Sequence, residues 1–119
     1  AKTMVSAACS IAVMTAALAL APLSTASAET ALDKGKALAF DRKLGNCLAC
    51  HAMDDGQLAG NIGPPLISMK LRYPDKAKLR AQIWDATVAN PDSSMPPFGR
   101  HGILSEEEID KVTEFIWAL

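Results

Sequence analysis

Cys47-Leu48-Ala49-Cys50-His51 is the stretch on which the reading of this sequence turns. Two cysteines three residues apart project from the same side of a helical turn, so both sulfurs can reach the two vinyl groups of one haem. The next residue, His51, then brings its imidazole under the iron as proximal ligand. This is the C-x-x-C-H pattern of covalent haem attachment, with Cys47 and Cys50 as the thioether residues. The other uses of such cysteines fit less well. A thioredoxin-like dithiol wants a βαβ setting around the motif, and the flanking sequence supplies none. A structural zinc site needs four closed ligands. Only His101 could join this set, and the adjacent Cys50 and His51 do not readily face one tetrahedral ion. A plain Cys47–Cys50 disulfide is the remaining alternative.

A second axial ligand has four candidates: Met53, Met69, Met95 and His101. Met53 follows His51 by two residues, too close to reach the opposite haem face. Met69 lies in SMKL just after GPPL, where a methionine most often fills a gap in the core. Met95 stands in SSMPPFG, 44 residues after His51, on a loop stiffened by Pro96 and Pro97. Prolines reduce the conformational freedom lost when a weak thioether is held on iron. Met95 is therefore the expected ligand, and His101, on the same loop, reads as an exposed histidine. With His51 and Met95 as metal ligands both axial positions are filled. Such an iron carries single electrons and binds no substrate, so no catalytic residue is expected.

Outward from the motif, three helical patches are separated by loops rich in Gly and Pro. The first spans about Ala31 to Leu44. The second, DKAKLRAQIWDATV, follows Pro74 with Asp75 as N-cap, and its Leu79, Ile83 and Ala86 recur at i, i+4 and i+7. The third opens on a capping box, Ser105 with Glu108, and runs Ile109, Val112, Phe115, Ile116 and Leu119 as one apolar stripe. Trp117 lies off that stripe, as a flank residue covering the neighbouring helix. No convincing strand appears, so the domain is expected to be all-α. Long loops in so small a domain make sense if they wrap something.

The N-terminus reads differently. Lys2 precedes an uncharged, Ala-rich run from Val5 to Leu23, and Ala26-Ser27-Ala28 follows Pro22. This is the layout of a secretory signal peptide, residues 1–28, cleaved after about Ala28, and it implies an exported, periplasmic chain. An uncleaved anchor is the rival, since the run approaches the roughly 20 residues of a membrane span; its Ala-rich composition and the cleavage site speak against it. Cys9 precedes the bulk of the apolar run, which argues against a lipoprotein site there. Residues 29–119 then form one domain, expected to stay off the membrane, with 11 Lys+Arg against 13 Asp+Glu, a formal charge of −2. That balance leaves no electrostatic footprint for nucleic acid. A core this thin also needs a staple such as a covalently held cofactor.

With these residues in hand, the chain from 29 to 119 resembles class I cytochromes c, whose fold is three main helices with long loops wrapped around one haem. Gly63-Pro64 matches the Gly-Pro of that family, which implies that the Pro64 carbonyl accepts the bond from His51. Gly35 resembles the small residue where the first and last helices cross, with Phe115 or Trp117 as the aromatic near the end of the last helix. Phe40, five residues after Gly35 and seven before Cys47, departs from the family's pattern at that crossing.

A more specific resemblance rests on GNCLACHAM (45–53), GNIGPPL (60–66), RYPDKAKLRAQIWDAT (72–87) and NPDSSMPPFGRHGILSEEEID (90–110). Together these are similar to the SoxX family, the mono-haem subunits of SoxAX cytochromes. The resemblance implies one haem c, held through Cys47 and Cys50 with His51 and Met95 as axial ligands, and a heterodimer with a SoxA-like haem subunit. It further implies the electron-accepting, non-catalytic part of an L-cysteine S-thiosulfotransferase, which joins thiosulfate oxidatively to a cysteine of a SoxYZ-like carrier in sulfur oxidation. A downstream cytochrome c or oxidase would take the electrons. The alternative is a free-standing shuttle feeding a terminal oxidase or reaction centre. The loop from Gly56 to Asp75, longer than a shuttle requires, carries exposed-looking Leu71 and Tyr73 beside Lys70 and Arg72.

Overall fold

The computed structural model describes residues 29–119; the expected signal peptide, 1–28, lies outside the described residues. Four helices follow in order: α1 (Ala31–Phe40), α2 (Met69–Arg72), α3 (Lys76–Trp84) and α4 (Glu106–Ala118). Two 3-10 turns, Cys47–Ala49 and Ala86–Val88, complete the regular structure, and the described residues contain no strand. The all-α expectation holds among the described residues. No helix among the described residues is long and apolar enough to cross a membrane.

Each long helix starts where a side chain satisfies its free N–H groups. At α4, the Glu108 N–H donates to Ser105 Oγ at 3.2 Å and the Ser105 N–H to Glu108 Oε2 at 2.8 Å, the capping box expected from the sequence. The same device opens α1, where Thr30 and Asp33 exchange bonds of 3.0 and 3.2 Å. Asp75 caps α3 as expected, its carboxylate accepting from the Ala77 N–H at 2.9 Å.

Two ends fall earlier than the sequence suggests. The first patch, expected to reach Leu44, stops at Phe40. Asp41 turns extended, its carboxylate takes the Lys43 N–H at 2.7 Å, and its carbonyl takes the Asn46 N–H at 2.9 Å. Such a short polar side chain offers the backbone an alternative to the helix. The second patch breaks at Asp85, extended at φ −158°, so Ala86 and Val88 fall in a 3-10 turn beyond the break. Ala86 is nonetheless buried.

The frame is the crossing of α1 and α4, with α3 laid against α4. At the crossing Gly35 is buried, and a Cβ there would overlap the Lys111 carbonyl and sit 2.8 Å from Phe115 Cβ. Only a residue without a Cβ lets the two backbones approach this closely. Phe40, whose place departs from the family's pattern, packs edge-to-face on Phe115 with ring centroids 6.1 Å apart. That geometry suits the quadrupoles of both rings. Phe115 is thus the aromatic of the crossing. Trp117 does something else: its indole N–H donates to the Tyr73 carbonyl at 3.0 Å, and Lys70 Nζ and Lys76 Nζ lie 4.9 and 5.0 Å from its ring centre. It therefore covers the α2–α3 junction, as a flank residue should. The core gathers Ile109, Val112, Phe115 and Ile116 of α4 with Leu79 and Ile83 of α3, Met69 of α2, and Met53, Phe98 and Leu104 from the loops.

Gly35→Ala is expected to destabilise the holoprotein by roughly 1–3 kcal/mol, because the methyl meets backbone that cannot step aside. Denaturant unfolding of the two proteins measures it.

Candidate haem site

The Cys47–Ala49 turn forms because Asn46, in left-handed backbone at φ 47°, redirects the chain into it. Asparagine tolerates that region better than most residues. The Cys50 and His51 N–H groups both donate to the Cys47 carbonyl, at 3.2 and 2.9 Å, which winds the motif tightly. Both cysteines are half-buried free thiols. Burial pushes the Cys47 thiol up to about 11. A thiol so reluctant to ionise is a poor redox nucleophile, which counts against the dithiol alternative. Among the described residues no cluster of three or more His, Cys, Asp or Glu side chains is placed to hold a metal ion.

The orientation of His51 is set by one bond. Its Nδ1 donates to the Pro64 carbonyl at 2.7 Å, leaving Nε2 as the nitrogen with a free lone pair. The loop carrying Pro64 is held in turn: the Gly63 N–H donates to the Cys50 carbonyl and the Leu66 N–H to the Ala52 carbonyl, both at 2.8 Å. Gly63 lies flush against the imidazole, where a Cβ would overlap the ring.

Beside the motif opens a cavity of about 640 Å³. Cys47, Cys50, His51, Pro64 and Met95 all line it. Leu66, Met69, Leu79, Ile83, Phe98, Leu104, Val112 and Ile116 give it apolar walls, with polar Arg42, Arg72, Gln82, Asn90 and Ser93 elsewhere on the lining. The volume lies within the roughly 300–1,000 Å³ usual for cofactor sites. Two thiols, one imidazole and the thioethers of Met69 and Met95 around an apolar cleft include the donor set a covalent haem requires, and the residues fit it.

Of the four candidates for the second ligand, two are placed outside the question. Met53 is buried in the core and does not line the cavity, and His101 is exposed and also absent from the lining. Met69 and Met95 both reach it. Arg72 Nη1 lies 3.3 Å from Met69 Sδ and donates to the Pro65 carbonyl at 2.7 Å, next to the proline that holds His51. Met69 Sδ is thus engaged by Arg72, which in turn holds the loop of Pro64 and Pro65. Tyr73, expected to be exposed, is half-buried and lines the cavity, whereas Leu71 is 83% exposed.

The family model for cytochrome c oxidase, cbb3-type, subunit III matches residues 30–116, nearly all of the described chain. The chain belongs to that family. Residues 30–116 are a c-type cytochrome domain with a single C-x-x-C-H motif, the kind of domain that transfers electrons. An uncharacterized lipoprotein of Aquifex aeolicus (strain VF5) is 37% identical to the cytochrome over 75 residues, covering 62% of this chain and 36% of that protein. The cytochrome thus spans about a third of the length of this relative.

Three elements of the site carry little sequence signal. The single-turn α2, which brings Met69 to the cavity, sits inside a stretch that reads as loop. The polar lining is drawn from separate segments and has no shared motif. Lys36 of α1, bridging Asp54 and Asp55 at 2.6 Å each, fastens the chain just after the motif to the first helix. Its signal, adjacent aspartates after His51, gives no hint of the distant partner.

Proposed function

We propose that this cytochrome is a one-electron carrier in which His51 and Met95 fill both axial positions of a haem attached through Cys47 and Cys50. The observation that supports it is the shared cavity: the oriented imidazole of His51 and the thioether of Met95 line one apolar cleft, while Met69 is engaged by Arg72. When bound, the haem supplies a reversible one-electron couple, raised in potential by methionine ligation relative to two histidines. The chain's own residues do the rest. Pro64 fixes the His51 tautomer, the apolar walls lower the local dielectric and exclude water, and the filled axial positions leave no place for an exogenous ligand.

The finer reading is that of a SoxX-like subunit, exported to the periplasm after loss of residues 1–28 and paired with a SoxA-like haem protein. There it would accept electrons released as thiosulfate is joined to a SoxYZ-like carrier, and pass them to a downstream cytochrome c or oxidase. The four quoted segments support this. So does the long loop, where Ile67 and Leu71, absent from the cavity lining, are 62 and 83% exposed beside Lys70 and Arg72. Exposed apolar side chains near a cofactor cleft suit a lasting partner. A second reading is favoured by the description of the matching family, which names a subunit of a cytochrome c oxidase: electrons would then go straight to a terminal oxidase.

Met95→Ala should open the sixth position, lower the reduction potential and let carbon monoxide bind the ferrous protein. His101→Ala should leave the absorbance spectrum unchanged. Carbon monoxide binding readily to wild type would remove the His/Met assignment.

Affinity purification of the tagged chain from its native host, with haem staining, separates the two partner readings. A second haem protein in fixed stoichiometry and thiosulfate-dependent reduction of the mixture is the expected result. Recovery of the chain alone, or with oxidase subunits, would discard the thiosulfate role.

A further inference from the structure

Asp85 is, among the described residues, the one charged side chain that is buried, at 5% exposure. Its two oxygens serve different segments. Oδ1 accepts from the Thr87 N–H at 3.0 Å and from the Thr87 hydroxyl, within the 3-10 turn where the chain leaves α3. Oδ2 faces Arg100 Nε at 3.1 Å. Between Thr87 and Arg100 runs the loop that carries Met95. The returning leg is tied to the same place by its backbone, since the Gly99 and Arg100 N–H groups donate to the Trp84 carbonyl at 3.1 and 3.4 Å. Gly99 is buried against the Trp84 indole, where a Cβ would overlap the ring. One carboxylate therefore spans both legs of the ligand loop.

We infer that Asp85 is a positioning residue for Met95, a clasp that joins the outgoing leg at Thr87 to the returning leg at Arg100 and keeps the thioether presented to the cavity. A thioether is a weak iron ligand, so its occupancy depends on the effective concentration that the loop imposes. Local bonds alone do not supply that. Within the loop Met95 is tied only to its neighbour, its N–H donating to Ser93 Oγ at 3.3 Å. The clasp is charged at neutral pH: the Thr87 hydrogen bonds, with smaller contributions from the Arg100 and His101 charges, hold the Asp85 carboxyl below its ordinary value against the opposing effect of burial. A charge-assisted contact of this kind is stronger than a neutral one. The inference rests on Met95 as the axial ligand.

Imidazole titration of the ferric holoprotein, followed by absorbance, tests it, because imidazole must displace the protein's own ligand. Asp85→Asn should bind imidazole about tenfold more tightly than wild type, as the fraction of loop-open protein rises. Arg100→Gln, which keeps the Thr87 bonds and removes only the contact to the returning leg, should move affinity in the same direction by less. Glu107→Gln, which breaks only the surface pair with Lys111 on α4, should leave it unchanged. Wild-type affinity in both Asp85→Asn and Arg100→Gln, with Met95→Ala binding far more tightly, would overturn the clasp and spare the ligand assignment. An equal rise in Glu107→Gln would also overturn it, by showing general loosening. Wild type binding imidazole as tightly as Met95→Ala would remove Met95 as ligand, and the inference with it.

Discussion

A cleft of about 640 Å³ at the centre of residues 29–119 constrains everything built around it. A chain of this size has little apolar surface to bury, and its net stability lies at the low end of the few kcal/mol usual for small domains. Leu79, Ile83, Val112 and Ile116 line the cleft while packing into one core. A haem held there would complete a core that the polypeptide alone leaves thin, and attachment through Cys47 and Cys50 would keep it in place.

From that constraint the rest follows in order. The α1–α4 crossing at Gly35 brings the two helices into close approach and sets Phe40 edge-on to Phe115. Lys36 fastens the motif's exit to α1 through Asp54 and Asp55. Within the cleft the Pro64 carbonyl sets the imidazole of His51. The loop between Thr87 and Arg100 brings Met95 to the same cleft, and Asp85 contacts both of its legs. Each of these two side chains is thus carried by a loop, and each loop is held by a bond to a more rigid element. This is how a small protein can place two donors with the precision an electron carrier needs, since reorganisation on gaining or losing an electron must be small.

Much of this was legible in the residues themselves. The C-x-x-C-H spacing, the Ser105–Glu108 box and the stripe from Ile109 to Ile116 are local patterns whose physics is complete within a few residues, and the structure reproduces the box and the stripe. Gly63-Pro64 was legible through family likeness, because a proline carbonyl thirteen residues from a histidine has no local signature. What stayed hidden depends on where the chain returns. The end of α3 at Asp85 contradicts the helical period running through Ala86, because a carboxylate bonded to Thr87 and Arg100 outweighs propensity. The four-residue α2 is too short to show a period. Tyr73 looks like an exposed loop aromatic until the cavity behind it is known. Trp117, off the apolar stripe, found its place only once the Tyr73 carbonyl came within reach.

The central claim is that one thioether, that of Met95, completes the iron's coordination opposite His51. Proton NMR of the reduced holoprotein addresses it most directly, through the methionine ε-methyl that the haem ring current moves far upfield. The account predicts one such methyl, assigned to Met95, with Met53 and Met69 in the ordinary range. A shifted methyl belonging to Met69, or none at all, would contradict it.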